Sequence, residues 1–152
     1  MPVAATAAAC TMLLLGLAGC GSGSSDASSS GDLIAGADAI CKKAQVKADA
    51  LRPYPVNLED AAETLAKSPA IFAPAVQELK ALDPPDDLKA GYQAWLMTYD
   101  ALIADTRQSV TAAKAGDQAR FDQAAETYQQ DADEANAAAA KLGMAECGRA
   151  GS

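Results

Sequence analysis

Apolar and polar positions fall into three regimes along this 152-residue chain. From Val3 to Ala18 the residues are apolar almost without interruption, broken by Thr6, Thr11 and Gly16. Residues 21–31 are Gly and Ser with Asp26 and Ala27, and hold no large apolar side chain. From Asp32 onward apolar residues recur at intervals of three and four, which places them on one stripe of an α-helix. The strict alternation of a half-buried strand is absent.

The third regime divides into four helical regions. The first runs from Asp32, as N-cap, to Leu51, with Leu33, Ala37, Ile40, Ala44 and Leu51 on one stripe. Arg52-Pro53-Tyr54-Pro55 ends it, because proline fits poorly inside a helix. The second region is broken. Asn57 caps a short helix that turns Leu58, Ala61, Ala62 and Leu65 inward. Ser68-Pro69 reads as the cap and first residue of another, carrying Phe72, Val76, Leu79 and Leu82. Pro74 predicts a kink there, or a later start. The third region opens at Asp86-Asp87 and closes at Gly116, with Leu88, Tyr92, Trp95, Leu96, Tyr99, Leu102, Ile103 and Val110 at helical spacing. Asp117 caps the fourth, which runs to Leu142 with Phe121, Ala124, Tyr128, Ala132, Ala135 and Ala139 inward. The short link between the last two predicts a hairpin. The predicted fold is all-α: an antiparallel four-helix bundle over 32–152, its second helical region broken by prolines, behind a disordered tether.

The apolar run ends in Leu17-Ala18-Gly19-Cys20, which resembles the bacterial lipobox. The run itself reads as the core of a signal peptide over 1–19, somewhat shorter than the ~20 residues of a membrane-spanning helix. The resemblance implies cleavage before Cys20 and lipidation of its thiol. Two or more acyl chains then hold the protein at a bilayer, each buried methylene contributing ~0.8 kcal/mol. The usual basic n-region is missing, so a start codon upstream of Met1 is expected. Residues 20–31 then form the lipidated cysteine and its tether, whose Gly/Ser coil reaches roughly 5–6 Å × √11, about 18 Å.

Four cysteines are present: Cys10, Cys20, Cys41 and Cys147. Cys10 leaves with the signal peptide and Cys20 is taken by lipid. Outside the cytoplasm, where disulfides persist, Cys41 and Cys147 remain to pair. Two free thiols or a metal pair are the alternatives, and two cysteines without histidine make a poor metal site.

Composition removes several activities. The chain has no histidine, so Ser-His-Asp and Cys-His catalysis and imidazole metal sites are excluded. A net charge of -8 speaks against nucleic acid as a partner. Half the residues are apolar, but 38 are alanine, so the core is thin for its length. Acidic clusters at Asp83, Asp86 and Asp87, and at Asp131, Asp133 and Glu134, lack calcium-loop spacing and read as helix starts and a solvated face. Tyr92, Trp95 and Tyr99 form an aromatic stripe that is either core or the wall of a ligand pocket. No cofactor and no metal is expected.

The assembled pattern resembles the small helical lipoproteins of high-GC actinobacteria. The residues that carry it are Leu17-Ala18-Gly19-Cys20, the Ser/Gly tether, Ala37-Asp38-Ala39-Ile40-Cys41, Leu82-Asp83-Pro84-Pro85, Ala115-Gly116-Asp117, and Leu142-Gly143 followed by Cys147-Gly148. The likeness implies a lipid-anchored protein on the extracytoplasmic face of the cell membrane, with a helical domain and a cysteine pair. The expected function is non-catalytic binding of an envelope protein or a small molecule. The alternative is a structural or stress-protective surface lipoprotein without a specific ligand.

Overall fold

The computed structural model describes residues 29–52 and 57–149. The apolar run, Cys10, Cys20 and most of the tether lie outside them, as does Pro53-Tyr54-Pro55. Five helices follow in order: α1 (Ser30–Asp49), α2 (Leu58–Leu65), α3 (Ser68–Lys80), α4 (Asp86–Lys114) and α5 (Gln118–Lys141). A 3-10 turn, Cys147–Arg149, closes the tail. The architecture is an antiparallel four-helix bundle in which α2 and α3 together make the second limb. None of these helices is long and apolar enough to cross a membrane.

Local chemistry sets most boundaries. α1 starts earlier than the apolar stripe predicts. Ser29 is its N-cap and Asp32 is the N3 residue of a capping box: Asp32 N–H donates to Ser29 Oγ at 3.2 Å, and Ser29 N–H donates back to Asp32 Oδ2 at 3.3 Å. Asp32 is therefore inside the helix, and Ser29, Ser30 and Gly31 belong to the folded part rather than to a tether. Asn57 caps α2 as expected, its Oδ1 accepting Asp60 N–H at 2.9 Å.

The second limb breaks for a reason visible in Pro69. A helix running through would need Pro69 to bond the carbonyl of Leu65, and proline has no N–H to give. Leu65 is the last residue of α2. Ser68 is not a cap: the N-cap is Lys67, without a side-chain bond. Pro74 neither ends α3 nor delays its start. The carbonyl it deprives is that of Ala70, and both residues are exposed, so solvent can satisfy the orphan.

The last two helices end alike. Gly116 (φ +67°) and Gly143 (φ +81°) adopt the left-handed conformation. Asp117 N–H bonds Ala112 O and Gly116 N–H bonds Ala113 O; Met144 and Gly143 repeat the pattern on Ala139 and Ala140. These are Schellman ends. The first turns the chain into the α4–α5 hairpin, with Asp117 Oδ1 capping α5 at 3.1 Å. The second reverses the tail.

The core is unevenly filled. Of twenty buried apolar residues, eleven are alanine. The large ones, Trp95, Tyr92, Leu79, Leu96 and Met144, gather with Leu33 where the end of α3, the first half of α4 and the tail meet α1. The other half of the bundle is held by Leu102 with Ala132 and Ala135. α4 packs on α5, on α2 and on α3, and α1 packs on α3; α1 and α5 are brought together through the tail.

Candidate functional site

The tail and α1 form a clamp. Cys41 and Cys147 have their sulfurs 2.07 Å apart, bonding distance, and their Cα atoms 5.1 Å apart. Met144 folds under the reversal and is buried. The backbone of the returning tail is met by one side chain of α1. Asp38 accepts the N–H groups of Ala145 at 3.1 Å, Glu146 at 2.9 Å and Cys147 at 3.1 Å. Tyr99 on α4 donates its hydroxyl to Cys147 O at 3.1 Å. Burial, then Tyr128 and the Asp38 charge, hold the Tyr99 phenol well above its ordinary pKa, so it stays a donor. In the sequence Asp38 is one acidic residue in the first half of a helix. The one signal for its role is its place a turn before Cys41. An Asp38→Ala variant leaves three tail N–H groups without their acceptor, and is expected to lose about 2 kcal/mol in urea unfolding. An unchanged midpoint would remove Asp38 from the clamp.

The aromatic stripe divides. Tyr92 and Trp95 are core residues, 1% and 0% exposed. Tyr92 donates to Leu79 O at 2.9 Å, tying α4 to the end of α3, and burial pushes its phenol up to about 12. Trp95 packs between Tyr92, with ring centroids 5.3 Å apart, and Tyr99, edge-on at 5.0 Å. Tyr99 lies on the wall of a cavity beside the disulfide.

Where α1 and α5 part, two adjoining cavities open. The smaller, about 60 Å³, lies against the disulfide, Val76, Tyr99 and Leu102. Glu146 and Arg149, which pair at 3.4 Å, sit at its side. The larger, about 330 Å³, is walled by parts of all five helices, among them Ala48, Leu65, Phe72, Ser109 and Phe121. Gln45, Phe72, Thr106 and Tyr128 border both. Both phenylalanines of the chain are therefore at this cleft, and each is only half-buried, as are Leu51, Leu65 and Tyr128. Helical spacing marks Phe72 and Phe121 as inward but cannot say that the helices facing them stand apart. A wider hollow of about 520 Å³ beside Arg107, Thr111 and Arg120 is exposed helix surface without a large apolar side chain.

Behind the cleft wall a carboxyl pair lies between α4 and α5. Asp105 is 6% exposed, and no donor reaches its Oδ2. Burial first, then the neighbouring Asp131 carboxyl, raises its pKa. The sign of the consequence follows. A folded-state pKa above the unfolded ~3.9 leaves the stability intact below pH ~4, and the stability is lost as pH rises through the folded value. Asp105→Asn supplies a donor and removes the charge. It should raise stability at pH 7 by about 1–3 kcal/mol, with the advantage shrinking toward pH 4. Thermal melts of both proteins across that range check it; an Asn variant less stable at pH 7 would show the carboxylate to be favourably held.

Among the described residues no group of three or more metal-ligating side chains converges. Asp83, Asp86 and Asp87 are exposed, the last two in the first turn of α4, and Asp133 and Glu134 face solvent while Asp131 is half-buried. Compared with family models, with curated proteins and with solved structures, the chain shows no match.

Proposed function

We propose that this protein is a lipid-anchored, non-catalytic binding module of the cell envelope that holds a small molecule in the cleft between α1 and α5. The observation that carries the reading is the cleft itself. The largest apolar side chains outside the core converge on it and are left half-covered, and its volume lies within the ~300–1,000 Å³ usual for small-molecule sites. A protein partner is less well supported. Among the described residues the large apolar side chains that stand exposed are Val46 on α1 and Met97 on α4, too few for an apolar docking patch of several hundred Å². The wall offers amides, hydroxyls and rings rather than a nucleophile with a base, which fits binding rather than turnover. The lipobox ending at Cys20 supports the anchor, on the outer face of the membrane.

The test uses protein purified from its native envelope. Peptide mass spectrometry should find lipid on Cys20, and native mass spectrometry should find a small-molecule adduct. Ala125 is exposed on the cleft wall, and Ala125→Trp should fill the space and abolish the adduct. An unmodified Cys20 overturns the anchor, and an adduct that persists in Ala125→Trp overturns the site.

A further inference from the structure

We infer that the cleft selects for an uncharged ligand: one predominantly apolar small molecule that presents neutral N–H or O–H donors. The inference rests on the cleft being the ligand site, and deepens that reading by naming the chemical class.

Charge is the first observation. The larger cavity has no charged side chain among the described residues that line it, in a chain that is 21% charged. An ion placed there would lose its hydration and meet no counter-ion. The nearest formal charges at the smaller cavity, Glu146 and Arg149, already pair with each other. The carboxyls of Asp105 and Asp131 lie between α4 and α5 rather than on the wall, so they disfavour an anion without offering a cation a direct partner.

The second observation is where the wall's own hydrogens go. Thr106 donates its hydroxyl to Leu102 O at 2.8 Å, and Ser109 donates to Asp105 O at 3.1 Å. Gln45 spends an amide hydrogen on Asp49 Oδ1 at 3.2 Å, and Gln129 spends one on Asp133 Oδ1 at 3.2 Å. All four keep an oxygen able to accept, while only the two glutamines keep a second hydrogen to donate. The cleft is consequently richer in acceptors than in donors. A ligand that donates satisfies it, whereas a carboxylate or phosphate sets acceptor against acceptor.

Two dyes with nearly the same rings separate these properties. N-phenyl-1-naphthylamine is uncharged and carries one N–H; 8-anilino-1-naphthalenesulfonate adds an anion. Dansylcadaverine serves as the ammonium-bearing arm. Titrated by fluorescence into the folded protein, the neutral dye should saturate at one site per chain. Both charged dyes should bind roughly tenfold or more weakly. Ala125→Trp should abolish neutral-dye binding while circular dichroism shows the helices intact, and Gln129→Trp, at another exposed position on the wall, repeats the block if the first variant folds poorly. A charged dye that binds as tightly as the neutral one overturns the selectivity and leaves the cleft reading standing. Failure of all three dyes, or neutral binding that survives a blocking variant, overturns the cleft reading itself.

Discussion

A Cys41→Ser/Cys147→Ser protein should melt roughly 10–20 °C below the wild type, the largest loss expected from removing any single cross-link or contact pair in this chain. The bond closes a sequence separation of 106 residues. In the chain-entropy model a loop of that size is worth about 4.7 kcal/mol. Asp38 and Tyr99 also hold Cys147, through its N–H and its carbonyl. The effect is large because the rest of the fold is modest: alanines supply eleven of the twenty buried apolar positions, and each buries little area. The order of loss is also set. α1 meets α5 through the tail, so hydrogen exchange should speed up first in α1 and Met144–Cys147, while the α4–α5 hairpin keeps its protection. Equal melting of the two proteins, or free reaction of both thiols with a maleimide in the unreduced native protein, would overturn the clamp.

The same variant bears on the cleft. The disulfide and Cys147 form one wall of the smaller cavity. The clamp thus closes one end of the space while the other end stays open between α1 and α5. A thin core with a covalent staple at one end is a physically consistent way to keep apolar side chains apart at the other. Without the staple, α1 could collapse toward Phe121 and Tyr128.

Much of the fold was readable because its stop signals are local. Gly116 and Gly143 do what only residues tolerant of positive φ do cheaply, and Asn57 and Asp117 cap helices by their own side chains. The errors were local too. Ser29 looks like one more tether serine until Asp32 is seen to answer it from N3. Pro74 looks like a breaker until it and Ala70, whose carbonyl it deprives, are both found exposed. The site was legible only in part. The pairing of Cys41 with Cys147 follows from counting thiols, but Asp38 receives a backbone more than a hundred residues away. The cleft depends on how far two correctly predicted apolar faces stand apart, a distance that periodicity does not encode. Asp105 lies on the inward side of α4, between Leu102 and Ser109, and periodicity does not reveal that Asp131 stands opposite it.

Trp95→Ala should cost about 3–5 kcal/mol, close to the loss of the disulfide, whereas Trp95→Phe should cost about 1 kcal/mol. The chain's single tryptophan is 0% exposed, wedged between Tyr92 and Tyr99. Alanine there opens a cavity that the neighbours can fill only in part. Phenylalanine keeps most of the ring contact and also deletes the indole N–H, a buried donor for which no acceptor lies in reach; relieving that orphan offsets part of the lost volume. The comparison separates a packing role from a ligand role. Trp95 lines neither cavity of the cleft, so Trp95→Phe should bind the neutral naphthylamine dye with wild-type affinity while its urea midpoint falls slightly. Tyr99→Phe is the informative contrast. It keeps the ring on the cavity wall but loses the hydroxyl that donates to Cys147 O, so it should loosen the tail by about 1 kcal/mol. Circular dichroism in urea and dye titration on the same samples give both readings. If Trp95→Phe instead removed dye binding at unchanged stability, the stripe would face a ligand after all, and the division between a packed end and an open end of this bundle would have to be redrawn.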